Sequence, residues 1–418
     1  MDKFIIKGPT TLNGSVNISG SKNAALPIMT ACLASPGKYT LNNVPNLRDT
    51  RTMIKLLEII GSKVVFKNNT LLIDTIDCNN PEAPYDLVKT MRASFYVLGP
   101  LLSRFEYAKV SLPGGCAWGP RPIDFHLKAF ESLGAKVSLK GGYIKTEGKL
   151  SATTVSFPKP SVGATGNVLM ACINLNQKVI INNAAKEPEI VDLCNFIKKM
   201  GVSIDGVGTE TLSVLGVKEI IKQNIVYDII PDRIEAGTFL IAAASCGGNV
   251  RLKSVIPSHL NLVIQKLRLA GALIKINTNS VDISSNGLVN PVDIITDVYP
   301  GYPTDLQAQW IALMSKSNGS CFITDTIYTD RFTHIPELIR LGSKILLHEN
   351  VANVSGVKKL FGAEVMSTDI RASASLIIAA LSAIGKTELS RIYHIDRGYE
   401  CIENKFKKLG ANIIRVSN

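Results

Sequence analysis

Two kinds of helical segment alternate along the chain, and they differ in how their apolar residues are spread. The first kind is amphipathic and ends in glycine before a short alternating strand: LLEIIGSKVVF, AFESLGAKVSL, FIKKMGVSIDG, KLRLAGALIKI, LIRLGSKILLH and KFKKLGANIIRV. Their glycines, Gly61, Gly134, Gly201, Gly271, Gly342 and Gly410, follow one another at steps of 73, 67, 70, 71 and 68 residues. Each stands where a left-handed C-cap releases a helix into a strand, a conformation glycine adopts without a Cβ penalty. One wet face is predicted for these helices, which makes them outer elements.

The second kind opens on small and polar residues: SKNAALPIMTACLA from Ser21, TMRASFYVLGPLL from Thr90, SVGATGNVLMACI from Ser161, DRIEAGTFLIAAA from Asp232, TDLQAQWIALM from Thr304 and TDIRASASLIIAA from Thr368. Past the first turn these are apolar around most of their circumference, which predicts buried, inner helices. Two landmarks in register imply a sixfold repeat of one inner helix, one outer helix and several short strands. One such unit cannot hide its own apolar face, so the units pack around a shared interior. The step is too long for tetratricopeptide or ankyrin arrays, and globular α/β domains are expected. Two groups of three and three groups of two fit the periodicity equally.

Length agrees with more than one domain, since 418 residues exceed what a single core usually supports. The N-terminal MDKFIIKGPTTLNG lacks a signal-peptide core and no stretch reaches the roughly 20 apolar residues of a membrane span, so a cytoplasmic protein without a membrane partner is expected. The 8 cysteines form no CxxC pair and have no histidine at ligand spacing, so neither a metal site nor a disulfide framework is expected. The excess of 46 Lys and Arg over 34 Asp and Glu leaves nucleic acid, an anionic small substrate or simple solubility open. No basic tail or aromatic-interleaved basic stripe supports nucleic acid. GxxxxGK[ST] and GxGxxG turns are absent as well, so no ATP or NAD cofactor is invoked.

Candidate chemistry gathers in the first turns of the inner helices: Lys22 with Asn23, Arg92, Ser161 with the Gly163 backbone, Arg233, Asp305, and Asp369 with Arg371. Helix N-termini offer unpaired N–H groups and a dipole that favours an anion. Capping accounts for Ser161, Asp232, Thr304 and Thr368 taken singly. It does not account for Lys22, Arg92 and Arg371, since a cation there opposes the dipole unless an anion or a carboxylate partner is present. A multiply anionic ligand is therefore indicated, to which Arg121, Arg331 and Arg397 add planar guanidinium forks. Arg340 and Arg391 read as surface or ion-pair residues. His126 either faces a ligand or is buried and hydrogen-bonded, His394 shares YHIDRG with Asp396 and Arg397, and His259, His334 and His348 form no triad or metal cage. Finally, SLPGGCAWGPRP at 111–122 is a Gly/Pro loop carrying Cys116, a thiol not explained by packing.

SGSKNAAL, KTMRAS, SLPGGC with GPRPIDFH, SVGAT, PDRIEAGTFLIAAA, PTDLQAQ, DIRASASL and RIYHIDRGYE, in that order over essentially the whole chain, closely resemble the UDP-N-acetylglucosamine 1-carboxyvinyltransferases, enolpyruvyl transferases of bacterial peptidoglycan synthesis. The resemblance implies two inside-out α/β domains of three units each, with helices central, sheets outside and the active site in the cleft between them. Residues 22–229 would form one domain, and 1–21 with 230–418 the other. The implied reaction moves the enolpyruvyl group of phosphoenolpyruvate to the 3-hydroxyl of UDP-N-acetylglucosamine and releases phosphate, with no cofactor.

In that pattern Cys116 is the acid and the residue alkylated by fosfomycin, and Asp305 is the carboxylate beside the sugar hydroxyl. Lys22, Arg121 and Arg397 match cations facing the phosphate, while Asn23, Arg331 and Arg371 surround phosphoenolpyruvate. Lys159, Ser161, Val162 and Gly163 match the loop holding the diphosphate, Pro122 the uracil-facing segment, and Asp369 a partner in closing the site. Arg92 and Ile327 complete the implied substrate contacts. Two departures stand out: Ala117-Trp118 follows the cysteine, and Gly166 enters an inner helix early, at a cost of ~1 kcal/mol in helix preference and an expected loosening of the diphosphate side. The fold is shared with 5-enolpyruvylshikimate-3-phosphate synthase, which does not need SLPGGC. A ring-like nucleic-acid clamp would instead require basic residues at equivalent repeat positions. Oligomeric state is left open.

Overall fold

The computed structural model describes residues 2–89, 91–112, 123–219 and 221–417. It divides into two compact units, one of residues 20–230 and one of residues 1–19 with 231–418. Among the described residues each unit carries three four-stranded sheets of a single design. The strand entering the inner helix lies parallel to the strand leaving it. That second strand runs antiparallel to the last strand of the repeat, which in turn pairs antiparallel with the strand released by the outer helix. Thr154–Ser156, Lys178–Asn182, Thr211–Leu215 and Ser203–Asp205 show the pattern locally.

Three repeats borrow a strand from far along the chain. In the 20–230 unit, Gln223–Asp228 lies parallel to Gly37–Asn42 and completes the first repeat with the last strand of the segment. In the other unit Leu12–Asn17 lies parallel to Gly248–Lys253, and Lys3–Gly8 inserts between Gly385–Ser390 and Asn412–Val416. The N-terminal strands thus complete sheets built from the C-terminal half.

The inner helices are buried as their composition predicts. Every residue from 24 to 31, 164 to 171, 234 to 245, 307 to 314 and 371 to 382 is buried. Outer helices bury one face, as Arg48–Ile60 does with Met53, Leu56, Leu57 and Ile60. The six repeat glycines all have positive φ, between 94° and 108°, in the left-handed region that ends each outer helix.

Three expectations about helix starts need correction. Thr304 and Arg92 open the 3₁₀ turns Thr304–Leu306 and Arg92–Val97, which precede the α-helices Gln307–Met314 and Leu98–Phe105. Thr304 does not cap, because its hydroxyl donates to Asp325 at 2.7 Å. Asp369 rather than Thr368 caps Ile370–Ser382, accepting from the N–H groups of Arg371 and Ala372. Gly166 also plays a part different from the expected loosening: a Cβ there would stand 2.9 Å from Tyr96 Cε1 and 3.4 Å from Leu193 Cδ2. Its missing side chain permits close packing, which offsets its poor helix preference.

Candidate active site

In the unit of residues 1–19 and 231–418, Asp305 is gripped from two sides. Arg331 Nη2 lies 2.8 Å from Oδ1 and Arg371 Nη2 lies 2.8 Å from Oδ2, so each carboxylate oxygen meets its own guanidinium. Burial alone would raise the Asp305 pKa, but the adjacent Arg371 and Arg331 override it and hold the carboxyl well below the usual range. Such a carboxylate is a weak base, able to take a proton only from a donor that is itself turning acidic.

Each guanidinium is braced in turn. Arg331 Nη1 donates to Thr304 Oγ1 at 3.2 Å, and Thr304 donates to Asp325 Oδ2. Asp325 is fully buried and saturated with donors: Oδ1 accepts from Thr296 Oγ1 at 2.8 Å, Ile327 N at 3.0 Å and Tyr328 N at 2.9 Å. The buried carboxyl group thereby folds the Asp325–Tyr328 turn that leads to Arg331. Arg331 Nε is buried without a hydrogen-bond partner among the described residues, a donor whose desolvation costs about 1–3 kcal/mol unless an acceptor arrives. Arg371 Nη1 donates to the Tyr399 hydroxyl at 3.2 Å, and the guanidinium lies 5.6 Å from that ring's centroid.

The unit of residues 20–230 builds a different cluster. Ser161 caps Val162–Ala171, its Oγ accepting from Ala164 N at 3.3 Å. His126, from the outer helix Asp124–Ser132, packs over this turn so closely that a Cβ on Gly163 would stand 3.2 Å from ring atoms Cε1 and Nε2. Asn167 Nδ2 lies 3.1 Å from His126 Nδ1 and donates to Phe95 O at 3.1 Å, while Gly99 N donates to Asn167 Oδ1 at 2.8 Å. With the amide nitrogen as donor, the network assigns the imidazole proton to Nε2, beside Gly163. Burial, helped by the charge of Arg92, pushes the His126 pKa down to about 3 and keeps the ring neutral. Of the two readings of His126, the buried and hydrogen-bonded one holds.

Lys22 does meet a carboxylate: its Nζ lies 3.3 Å from Asp49 Oδ2, at the first turn of the neighbouring outer helix. Asn23 is partly exposed in the same first turn as Lys22, and Lys159 is exposed two residues before Ser161. Val162 O accepts from Tyr96 Oη at 3.4 Å. Asp369 is occupied in capping the helix of Arg371, and Arg397 closes the 3₁₀ turn Ile392–Arg397. Asp396 is engaged by Arg415, and exposed Arg340 lies 3.9 Å from Glu337 Oε2 and donates to the backbone carbonyl of Glu364, in line with its surface or ion-pair reading. Cys116, Trp118, Arg121 and Pro122 lie outside the described residues.

Sequence reasoning passed over Asp325, Asn167, Thr238, Gln309 and Tyr399. A signal for two of the helical ones exists: Asn167 and Thr238 are each the sixth residue past the caps Ser161 and Asp232, polar positions beyond the first turn in helices whose later residues are otherwise apolar or small.

The family profile described as EPSP synthase (3-phosphoshikimate 1-carboxyvinyltransferase) matches residues 6–406. A UDP-N-acetylglucosamine 1-carboxyvinyltransferase of Chloroherpeton thalassium is 52% identical over 99% of this chain and 97% of its own length. The chain belongs to this family of enolpyruvyl transferases. Another UDP-N-acetylglucosamine 1-carboxyvinyltransferase, from Geotalea daltonii, is 49% identical over the full length of both chains. Among solved structures, the enolpyruvyl transferase NikO from Streptomyces tendae superposes with a TM-score of 0.90 at 23% identity, covering 100% of this chain and 99% of its own. EPSP synthase from Acinetobacter baumannii gives 0.74 at 16% identity with full coverage of both. These two support the enolpyruvyl transferase fold of the α/β units.

Proposed function

We propose that this enzyme transfers the enolpyruvyl group of phosphoenolpyruvate to the 3-hydroxyl of UDP-N-acetylglucosamine with release of phosphate, the first committed step of peptidoglycan synthesis, in the cytoplasm. The observation that carries the mechanism is the Asp305 carboxylate held between Arg331 and Arg371. In this reading the sugar oxygen bonds to C2 of phosphoenolpyruvate as Cys116 delivers a proton to the methylene carbon. The hydroxyl becomes acidic as that bond forms, and Asp305, too weak a base to act earlier, accepts its proton. The resulting tetrahedral ketal then loses a proton from the methyl carbon and expels phosphate.

Arg331 and Arg371 serve phosphoenolpyruvate together with Asn23, and the unpartnered Arg331 Nε supports this assignment by offering a donor to an incoming anion. Lys22, Arg121 and Arg397 balance the departing phosphate. The helix start at Ser161, Val162 and Gly163, with Lys159 and Arg92, takes the diphosphate, and Pro122 and Ile327 take the rest of the sugar nucleotide. Asp369 helps to close the site. Residues 22–229 form the enolpyruvyl transferase domain carrying the cysteine loop, and 1–21 with 230–418 the domain carrying Asp305. Phosphate release measured with each acceptor separately tests this: turnover is expected with UDP-N-acetylglucosamine, and turnover only with shikimate 3-phosphate would overturn it.

A further inference from the structure

One phenol hydroxyl is shared by three inner helices of the unit of residues 1–19 and 231–418. Tyr399 Oη lies 2.8 Å from Thr238 Oγ1 on Arg233–Cys246, 3.2 Å from Gln309 Nε2 on Gln307–Met314 and 3.2 Å from Arg371 Nη1 on Ile370–Ser382. The tyrosine is 2% exposed, so these partners have little competition from water.

The partners of the phenol set its donor and acceptor roles. Arg371 Nη1 can only donate, so Tyr399 Oη accepts from it, while the two protons of Gln309 Nε2 are shared among the phenol, Thr238 Oγ1 at 3.2 Å and the Asp305 carbonyl; with the Thr238 hydroxyl committed to Ile234 O, the phenol gives its own proton to Thr238 Oγ1. Thr238 passes the chain on by donating to Ile234 O at 2.8 Å. Gln309 Nε2 also donates to the carbonyl oxygen of Asp305 at 3.0 Å, which ties the phenol to the backbone of the carboxylate that Arg371 grips. Burial raises the Tyr399 pKa, in keeping with a neutral donor and acceptor. The ring meanwhile lies against the guanidinium.

The geometry points to Tyr399 as a positioning residue for enolpyruvyl transfer, its hydroxyl fixing the rotation of the Arg371 guanidinium relative to Asp305. This rests on the function proposed above, in which Arg371 serves phosphoenolpyruvate. A guanidinium held by two unlike acceptors, a carboxylate on Nη2 and a phenol on Nη1, has its plane set before substrate arrives. Packing of three helices around a tyrosine would need the ring but not this donor pattern.

Tyr399→Phe separates the two, since it keeps the ring and removes the hydroxyl. In steady-state phosphate release, kcat/KM for phosphoenolpyruvate is expected to fall about 10- to 100-fold while KM for UDP-N-acetylglucosamine stays within about twofold. Thr238→Val, which deprives the phenol of its acceptor, is expected to act in the same direction by about 3- to 10-fold, and the double variant by less than the product. Phosphoenolpyruvate parameters within twofold of wild type in both variants would overturn the role. Equal losses for both substrates that track a lowered melting temperature would overturn it too, by showing a purely structural contribution. Wild-type turnover is the internal control. Without it the function itself fails, whereas normal wild-type turnover with unaffected variants removes only the role of Tyr399.

Discussion

The two units build polar centres at equivalent places in the same repeat, yet one is charged and the other neutral. Thr238 and Asn167 stand at the same distance past their helix caps. Around Thr238 the chain assembles Tyr399, Arg371, Asp305 and Arg331, two cations on one anion. Around Asn167 it assembles backbone groups and an imidazole whose pKa is pushed down to about 3. One buried carboxylate from each unit shows the same contrast. Asp305 is held ionised by its guanidiniums, while Asp192, in the unit of residues 20–230, is pushed up to about 6 by burial, with Tyr227 Oη donating to it at 2.6 Å. The repeat supplies the frame, and the choice of cation or amide at a few inner positions decides whether a centre can handle developing charge or only present backbone to a ligand.

If the charged centre does the chemistry, Asp305→Ala gives the largest effect: turnover falls by about 10³-fold or more in the phosphate-release assay, beyond what two unpaired guanidiniums cost in stability. A loss under tenfold would remove the carboxylate from the reaction. Cys116→Ser is expected to lower turnover by about 10²-fold while UDP-N-acetylglucosamine still binds in calorimetry, because the hydroxyl is a poorer acid than the thiol. Labelling by fosfomycin, read by mass spectrometry, should vanish in that variant.

The neutral centre predicts the opposite selectivity. Gly163→Ala places a methyl 3.2 Å from the His126 ring and shifts the helix start, so KM for UDP-N-acetylglucosamine should rise about tenfold with phosphoenolpyruvate kinetics little changed. An effect on phosphoenolpyruvate alone would break the division of labour between the two centres.

The smallest effect concerns stability. Asp192 keeps its proton in the folded state up to about pH 6, whereas the unfolded chain releases it near pH 4. Between those values the folded state binds more protons, so this contribution to stability is present at low pH and is lost as pH rises, by roughly 1.4 kcal/mol per unit. Asp192→Asn removes that slope. Urea midpoints at pH 5 and 7.5 should therefore diverge less in the variant than in wild type, and an identical pH dependence would contradict a raised Asp192.

What could be read from the sequence was local. The repeat glycines are legible because a helix end needs positive φ whatever surrounds it, and the inner helices because total apolarity has no other use in a globular chain. Strand exchange was not legible: nothing in KFIIKG or QNIVYD names a partner sheet lying hundreds of residues away. For the site, the inner-helix starts and the motif resemblance picked out Asp305, Arg331 and Arg371, but the residues that hold them are ordinary in sequence. Asp325 reads as a turn aspartate in FITDTIY, and only the fold reveals it as a buried anchor fed by Thr296, Thr304 and two backbone N–H groups. The pairing of Lys22 with Asp49 likewise appears only once an outer helix is packed beside an inner one.

The central claim, that a charged centre in one unit drives addition and elimination on an enolpyruvyl group, is tested most directly by product mass in deuterated water. With phosphoenolpyruvate and UDP-N-acetylglucosamine, the account predicts a sugar nucleotide heavier by one enolpyruvyl group, deuterium in its methylene carbon, and one phosphate per product. A sugar nucleotide of unchanged mass, or a product whose methylene carries no deuterium, would contradict it.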